Sequence, residues 1–188
     1  MSYGIIDLEF TAWKGSQERS WCFNWEHTEI IQIGVIKFKN FDSKKIILKK
    51  LYVKPLKNKI LSFYISKLTH INQKQINDYG LNFLQSINEL ERFFFGVKKI
   101  YCNGLDKKIL VKNFKYNSIN NNTYQFLKKI FNIKVLLKKN SDLNLQDLKT
   151  SGALKLKKNN KKLKKHDALS DAIKIFLFLK ENQDKFYL

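Results

Sequence analysis

Apolar positions in the first part of the chain alternate from Tyr3 to Phe10 and fall into runs rich in Ile and Val from Glu29 to Phe38 and Lys45 to Val53, which predict three successive strands forming a meander. After Pro55 the spacing turns helical, with Leu68, Ile71, Gln75 and Ile76 in a polar stretch. Between Tyr79 and Phe95, the residues Phe83, Leu84, Ile87, Leu90, Phe93 and Phe94 recur at the three-and-four spacing of a buried helical face. Val97 to Cys102 reads as a short strand and Leu105 to Phe114 as a helix behind it. A further strand is expected around Ile130 to Leu136. A closing helix is expected from Asp167 to Asn182, its apolar face made by Ala168, Leu169, Ala172, Ile173, Phe176 and Leu179. Strands first and mixed units afterwards indicate an α/β or α+β sheet flanked by helices. No repeat or linker interrupts the pattern, so residues 1–188 are expected to form a single domain.

Acids break this pattern at three places. Asp7 and Glu9 sit inside the first predicted strand, where positions two apart project from one face about 6 to 7 Å from each other, leaving Ile6, Leu8 and Phe10 to the opposite face. A cation between the two carboxylates would offset their repulsion; a strand with one solvated face would show the same alternation. Asp106 follows Tyr101-Cys102-Asn103-Gly104, where a strand gives way to a helix, a common place for active residues and an ordinary place for a helix cap. His166-Asp167-Ala168-Leu169-Ser170-Asp171 opens the last helix. Asp167 suits the N-cap, while Asp171 lies one turn in, between alanines small enough to let the helix approach the sheet and bring this acid near Asp7 and Glu9. Taken alone, His166 also reads as a surface histidine before a capped helix.

Composition narrows the partners. The 36 Lys and Arg against 16 Asp and Glu leave a formal charge of +20, which favours a polyanion, with nucleic acid the first candidate. Almost all the basic residues are Lys, and Ile and Asn are abundant too, as an adenine- and thymine-rich genome would produce unaided. The run from Lys155 to Lys165 reads as an exposed loop. No stretch approaches the roughly 20 apolar residues of a membrane-spanning helix. Met1-Ser2-Tyr3-Gly4 does not open a signal peptide, so a cytoplasmic protein with no membrane partner is expected. Cys22 and Cys102 lack the spacing of a metal site or a disulfide scaffold and are expected to be reduced thiols.

The three acidic segments, in this order, resemble the DEDDh family of 3′ to 5′ exonucleases. The resemblance rests on Ile5-Ile6-Asp7-Leu8-Glu9-Phe10-Thr11, on Asn103-Gly104-Leu105-Asp106 with Leu110 downstream, and on His166 through Asp171. Glu29 to Ile36 looks like the family's second strand, and Leu61-Ser62 with Leu68-Thr69-His70-Ile71 and Gln75 looks like its segment before the first helix. The likeness runs from Tyr3 to about Leu179. His70 departs from it, standing where members usually have Gly, and the aromatic connection from Thr11 to Thr28 is longer than in many members.

The resemblance implies a ribonuclease-H-like mixed central sheet, an antiparallel meander plus parallel strands flanked by helices. It also implies two divalent ions, Mg²⁺ or Mn²⁺, held by Asp7, Glu9, Asp106 and Asp171, with Asp7 bridging them and His166 as general base. Phe10, Thr11, Ala12 and Trp13 would meet the terminal nucleotide, since aromatic faces stack on unpaired bases. The implied reaction is hydrolysis from the 3′ ends of single-stranded RNA or DNA, releasing nucleoside monophosphates, in a monomer or homodimer. A catalytically inactive nucleic-acid-binding module and a proofreading-type subunit of a larger assembly are the alternatives. No GxxxxGK[ST] loop is present, which argues against a nucleotide-driven motor.

Overall fold

The computed structural model describes residues 2–137 and 163–183. The three expected strands form β1 (Ser2–Phe10), β2 (Ile30–Phe38) and β3 (Ile46–Val53). Two short helices come next, α1 (Phe63–Thr69) and α2 (Gln73–Tyr79), then β4 (Gly80–Leu81), α3 (Phe83–Phe93), β5 (Val97–Cys102) and α4 (Asp106–Tyr116). A 3₁₀ turn at Asn121–Thr123 leads to α5 (Gln125–Lys128), β6 (Ile130–Asn132) and α6 (Ile133–Leu137), and α7 (Ala168–Glu181) closes the described chain. The sheet runs β4-β3-β2-β1-β5-β6. Pairing is antiparallel among β1, β2 and β3 and parallel for β1 with β5, β5 with β6 and β3 with β4. This is the ribonuclease-H-like mixed sheet.

β1 is central and covered on both faces, which explains why it is apolar almost throughout yet alternates in purpose. Ile6 and Leu8 pack with Ile87 and Leu90 of α3 and with Ile109 and Leu110 of α4. Ile5, on the opposite face, packs with Ile36, Tyr101 and the Ala172, Ile175, Phe176 and Leu179 face of α7. A third cluster joins Ala12, Ile31, Leu61, Ile65, Ile71 and Ile76 at the sheet end where β1 finishes. Both cysteines are free, Cys22 exposed and Cys102 buried. No helix among the described residues is long and apolar enough to cross a membrane.

Two sequence expectations need correction. The helical stretch expected from Tyr79 starts later, because Gly80 and Leu81 pair with Tyr52 and Val53 and Asn82 then caps α3. Asn82 and Gln85 exchange side-chain and backbone hydrogen bonds in a capping box, which fixes the start of the helix. The strand expected around Ile130 to Leu136 is only three residues long. The Asn132 carboxamide oxygen accepts from the Lys134 amide at 3.0 Å, turning the backbone out of the strand and into α6. Most of the Lys-rich run, 155–162, lies outside the described residues.

Candidate active site

Asp7 and Glu9 continue the Ile5 face of β1, beyond the point where apolar packing against α7 ends, and both are buried. Across the β1–β2 ladder, Asp7 faces Gly34 and Glu9 faces Gln32. These two β2 residues seat the start of α7. A Cβ on Gly34 would lie 2.2 to 2.3 Å from the backbone of Ala168 and Leu169, so only glycine lets the helix come this close. The Gln32 side-chain oxygen accepts from the Ala168 amide at 2.7 Å, satisfying one of the free donors at the helix start. Asp167 caps the same end, accepting from the Ser170 amide at 3.0 Å and pairing with Lys50 at 2.6 Å.

This seat sets where the first turn of α7 delivers its side chains. Asp171, buried one turn in, reaches the acidic end of β1, and His166, half-buried, precedes the helix with a left-handed backbone, φ 56°. Glu9, His166 and Asp171 can each offer one ligand atom, and these atoms lie within 4.8 Å of one another. Asp106 enters from the other side as the first residue of α4. Its Oδ1 accepts from the Leu8 amide at 3.2 Å, tying α4 to β1, while its Oδ2 is buried with no hydrogen-bond partner.

Four carboxylates from three distant segments therefore line one cleft of about 450 Å³, with His166 on its wall. Confinement shows in their acidities. Burial, reinforced by the charges of Asp171 and Asp106, pushes Glu9 up to about 8. Burial likewise pushes Asp106 up to about 7, against the stabilising amide hydrogen bonds it accepts. Asp171 is raised by burial although Lys174 donates to it at 2.5 Å. His166 is lowered by burial, which favours the neutral imidazole that can accept a proton. Crowded carboxylates whose charged forms are disfavoured gain most from a cation. Oxygen donors in the majority suit a hard divalent ion, and the orphaned Asp106 Oδ2 supplies an unused ligand atom.

The RNase T exonuclease family model matches residues 5–177. The chain belongs to this exonuclease family. Membership makes it a nuclease, a hydrolase, and the family's divalent-metal dependence agrees with the acidic group in the cleft. No curated protein sequence matches the chain. Among solved structures, the fold is shared with the nuclease domain of 3′hExo, described as a DEDDh family member bound to rAMP. The TM-score is 0.79 at 22% identity, covering 97% of this chain and 92% of that one. Cell-death related nuclease 4 gives a TM-score of 0.66 at 18% identity, covering 97% of this chain and 64% of that one. Exonuclease I of E. coli, in complex with a dA16 oligonucleotide, gives a TM-score of 0.66 at 13% identity, covering 98% of this chain and 41% of that one.

In this exonuclease the residues expected to meet substrate are placed unequally. Phe10, Ala12 and Trp13 line the cleft, with the Phe10 ring 5.7 Å from Trp21. The Thr11 side chain does not reach the cleft lining. It is buried, donating to the His27 carbonyl and accepting from the Glu29 amide at 2.9 Å, so it holds the end of β1 to the start of β2. Sequence reasoning missed Lys174, whose three-residue offset from Asp171 on a helix was the available signal. It also missed Gln32 and Gly34 as the seat of α7; a glycine and an amide inside an otherwise Ile- and Val-rich strand were the clue. Asn103, from the second acidic motif, also lines the cleft, as does Lys134, which the sequence reading did not single out.

Proposed function

We propose that residues 1–188 form one metal-dependent 3′ to 5′ exonuclease domain of the DEDDh type, acting on single-stranded RNA or DNA and releasing nucleoside monophosphates. The observation that carries this reading is the convergence of Asp7, Glu9, Asp106 and Asp171 in one cleft, with His166 beside two of them.

In this reading Asp7, Glu9, Asp106 and Asp171 would hold two divalent ions, Mg²⁺ or Mn²⁺. When bound, such ions supply charge neutralisation for the attacking and leaving oxygens of phosphodiester displacement. His166 accepts the proton of the attacking water on an imidazole nitrogen, a role helped by the burial that keeps the ring neutral. The water oxygen bonds to phosphorus, the bond to the 3′ oxygen of the preceding nucleotide breaks, and that oxygen takes a proton to become the new 3′ end. Phe10, Ala12 and Trp13 receive the terminal nucleoside, and Thr11 acts by fixing the backbone that carries them.

The test is incubation of 5′-labelled RNA and DNA oligomers with the purified chain and Mg²⁺ or Mn²⁺, alongside Asp7→Asn. A ladder shortening from the 3′ end, abolished by the substitution, is expected. Oligomer binding without cleavage by the unaltered chain would instead support the inactive binding module.

A further inference from the structure

The connection between β1 and β2 exposes large rings that the core does not use. Trp25 and Phe23 are each 50% exposed, lie 5.7 Å apart and are within 18° of parallel. Trp25 meets Trp13 edge to face at 4.8 Å, and Trp13 lines the catalytic cleft, so the rings run without a break from the cleft wall to the surface.

This arrangement is held in place from beneath. Ser16 and Glu26 are buried and hydrogen-bonded to each other at 2.7 Å, and Arg19 pairs with Glu26 while its guanidinium lies 4.9 Å from the Phe23 ring centroid. Asn58 donates to the Trp25 carbonyl at 2.9 Å, and its own amide, with those of Leu56 and Lys57, is fixed on the Glu29 carboxylate. Two non-glycine residues, Ser20 and Trp21, hold left-handed backbones at φ 56° and 52°. A loop that accepts strain and a half-buried ion pair in order to present apolar rings to solvent is organised for a ligand.

The geometry points to a base-stacking shelf at Phe23 and Trp25 that receives nucleotides upstream of the 3′ end of the strand. It rests on the nuclease reading for the direction of the strand. Continuity with the cleft selects the occupant, and so does charge: the Arg19 guanidinium lies against the Phe23 ring in a chain of net charge +20. Stacked rings take any base, so the shelf favours single strands without reading sequence.

The test measures fluorescence anisotropy of a labelled single-stranded oligomer of about twelve nucleotides, within the site sizes known for stacking proteins, on the Asp7→Asn chain with Mg²⁺. Adding Trp25→Ala should raise the Kd roughly fivefold or more, the low end of what one lost base–aromatic stack costs. Trp25→Tyr should restore most of the affinity, which separates loss of the ring from damage to the loop. An oligomer with abasic sites upstream of its terminal dinucleotide should bind the Asp7→Asn chain as weakly as the intact oligomer binds the Trp25→Ala variant. Equal affinities for intact and abasic oligomers, or no loss with Trp25→Ala, would overturn the shelf. Absence of cleavage by the unaltered chain would instead remove the nuclease reading, while the same binding comparison would still decide the shelf.

Discussion

The Gln32 side chain accepts the Ala168 amide at 2.7 Å, so the strand beside Asp7 and Glu9 also sets the position of the helix that delivers Asp171. One contact thereby couples the two acidic segments most distant in sequence. Gly34, two residues along the same strand, makes the approach possible by having no Cβ to meet Ala168.

Gly34→Ala should therefore damage the site without touching a catalytic group. The added methyl lands on helix backbone and cannot be absorbed by a side-chain rotation, so the start of α7 must move. Overpacking of this kind costs about 1–3 kcal/mol, visible as a lower Tm. Displacing His166 and Asp171 by even about 1 Å should reduce kcat on the order of a hundredfold. A variant with wild-type turnover would mean that the close seat of α7 is not what aligns the site.

The three-segment pattern of acids was legible only in combination: solvation or capping explains Asp7 and Glu9, Asp106 or Asp171 singly, and it is their order along the chain that resembles the exonuclease motifs. Register was not legible. Nothing in β1 or β2 alone states that Asp7 sits opposite Gly34, since pairing depends on two segments separated by the whole aromatic connection. The short β4 was hidden, and the end of β6 misjudged, for a related reason. Two or three residues carry no periodicity, and their strand geometry comes from neighbours such as Tyr52 and Ile100. Thr11 reads as a substrate contact from its place in the motif, whereas its hydroxyl is committed to His27 and Glu29, partners that sequence spacing does not reveal.

Removing the cation should reverse the usual effect of mutating a buried acid. Glu9 is raised from 4.5 to about 8, so below about 4.5 the folded and unfolded chains are equally protonated there. As pH rises from there to about 8 the unfolded chain sheds this proton first, and folding stability falls. In chelator, Glu9→Gln should consequently raise the Tm at pH 8, flatten its decline with pH and abolish the Tm gain given by Mg²⁺ or Mn²⁺. Thermal melts across pH 5 to 8, with chelator or ion, check all three; a lower Tm for Glu9→Gln in chelator at pH 8 would contradict the burial argument.

His166 is close enough to Glu9 and Asp171 to act either as a base or as a ligand. The two roles separate by measurement. As a base, His166→Ala should lower kcat by roughly 10²–10⁴ while the Mg²⁺-induced Tm gain stays near wild type. Loss of that gain together with activity would instead assign the imidazole to the metal, and unchanged turnover would remove it from the mechanism.

Lys174 presents the sharpest balance between folding and catalysis. Its ammonium lies 2.5 Å from Asp171 with both side chains at least nine-tenths buried, so it neutralises the same carboxylate that a divalent ion would use. Removing one partner of a buried pair leaves an uncompensated charge, so Lys174→Met should destabilise the ion-free protein by about 3–5 kcal/mol. With the competing cation gone, Mg²⁺ or Mn²⁺ should restore a larger share of stability than it adds to the wild type, because binding to the folded state alone shifts the equilibrium by mass action. Melting curves of both chains over a titration of the ion make the comparison. A Tm gain no larger in Lys174→Met than in wild type would show that Lys174 and the ion do not compete for Asp171.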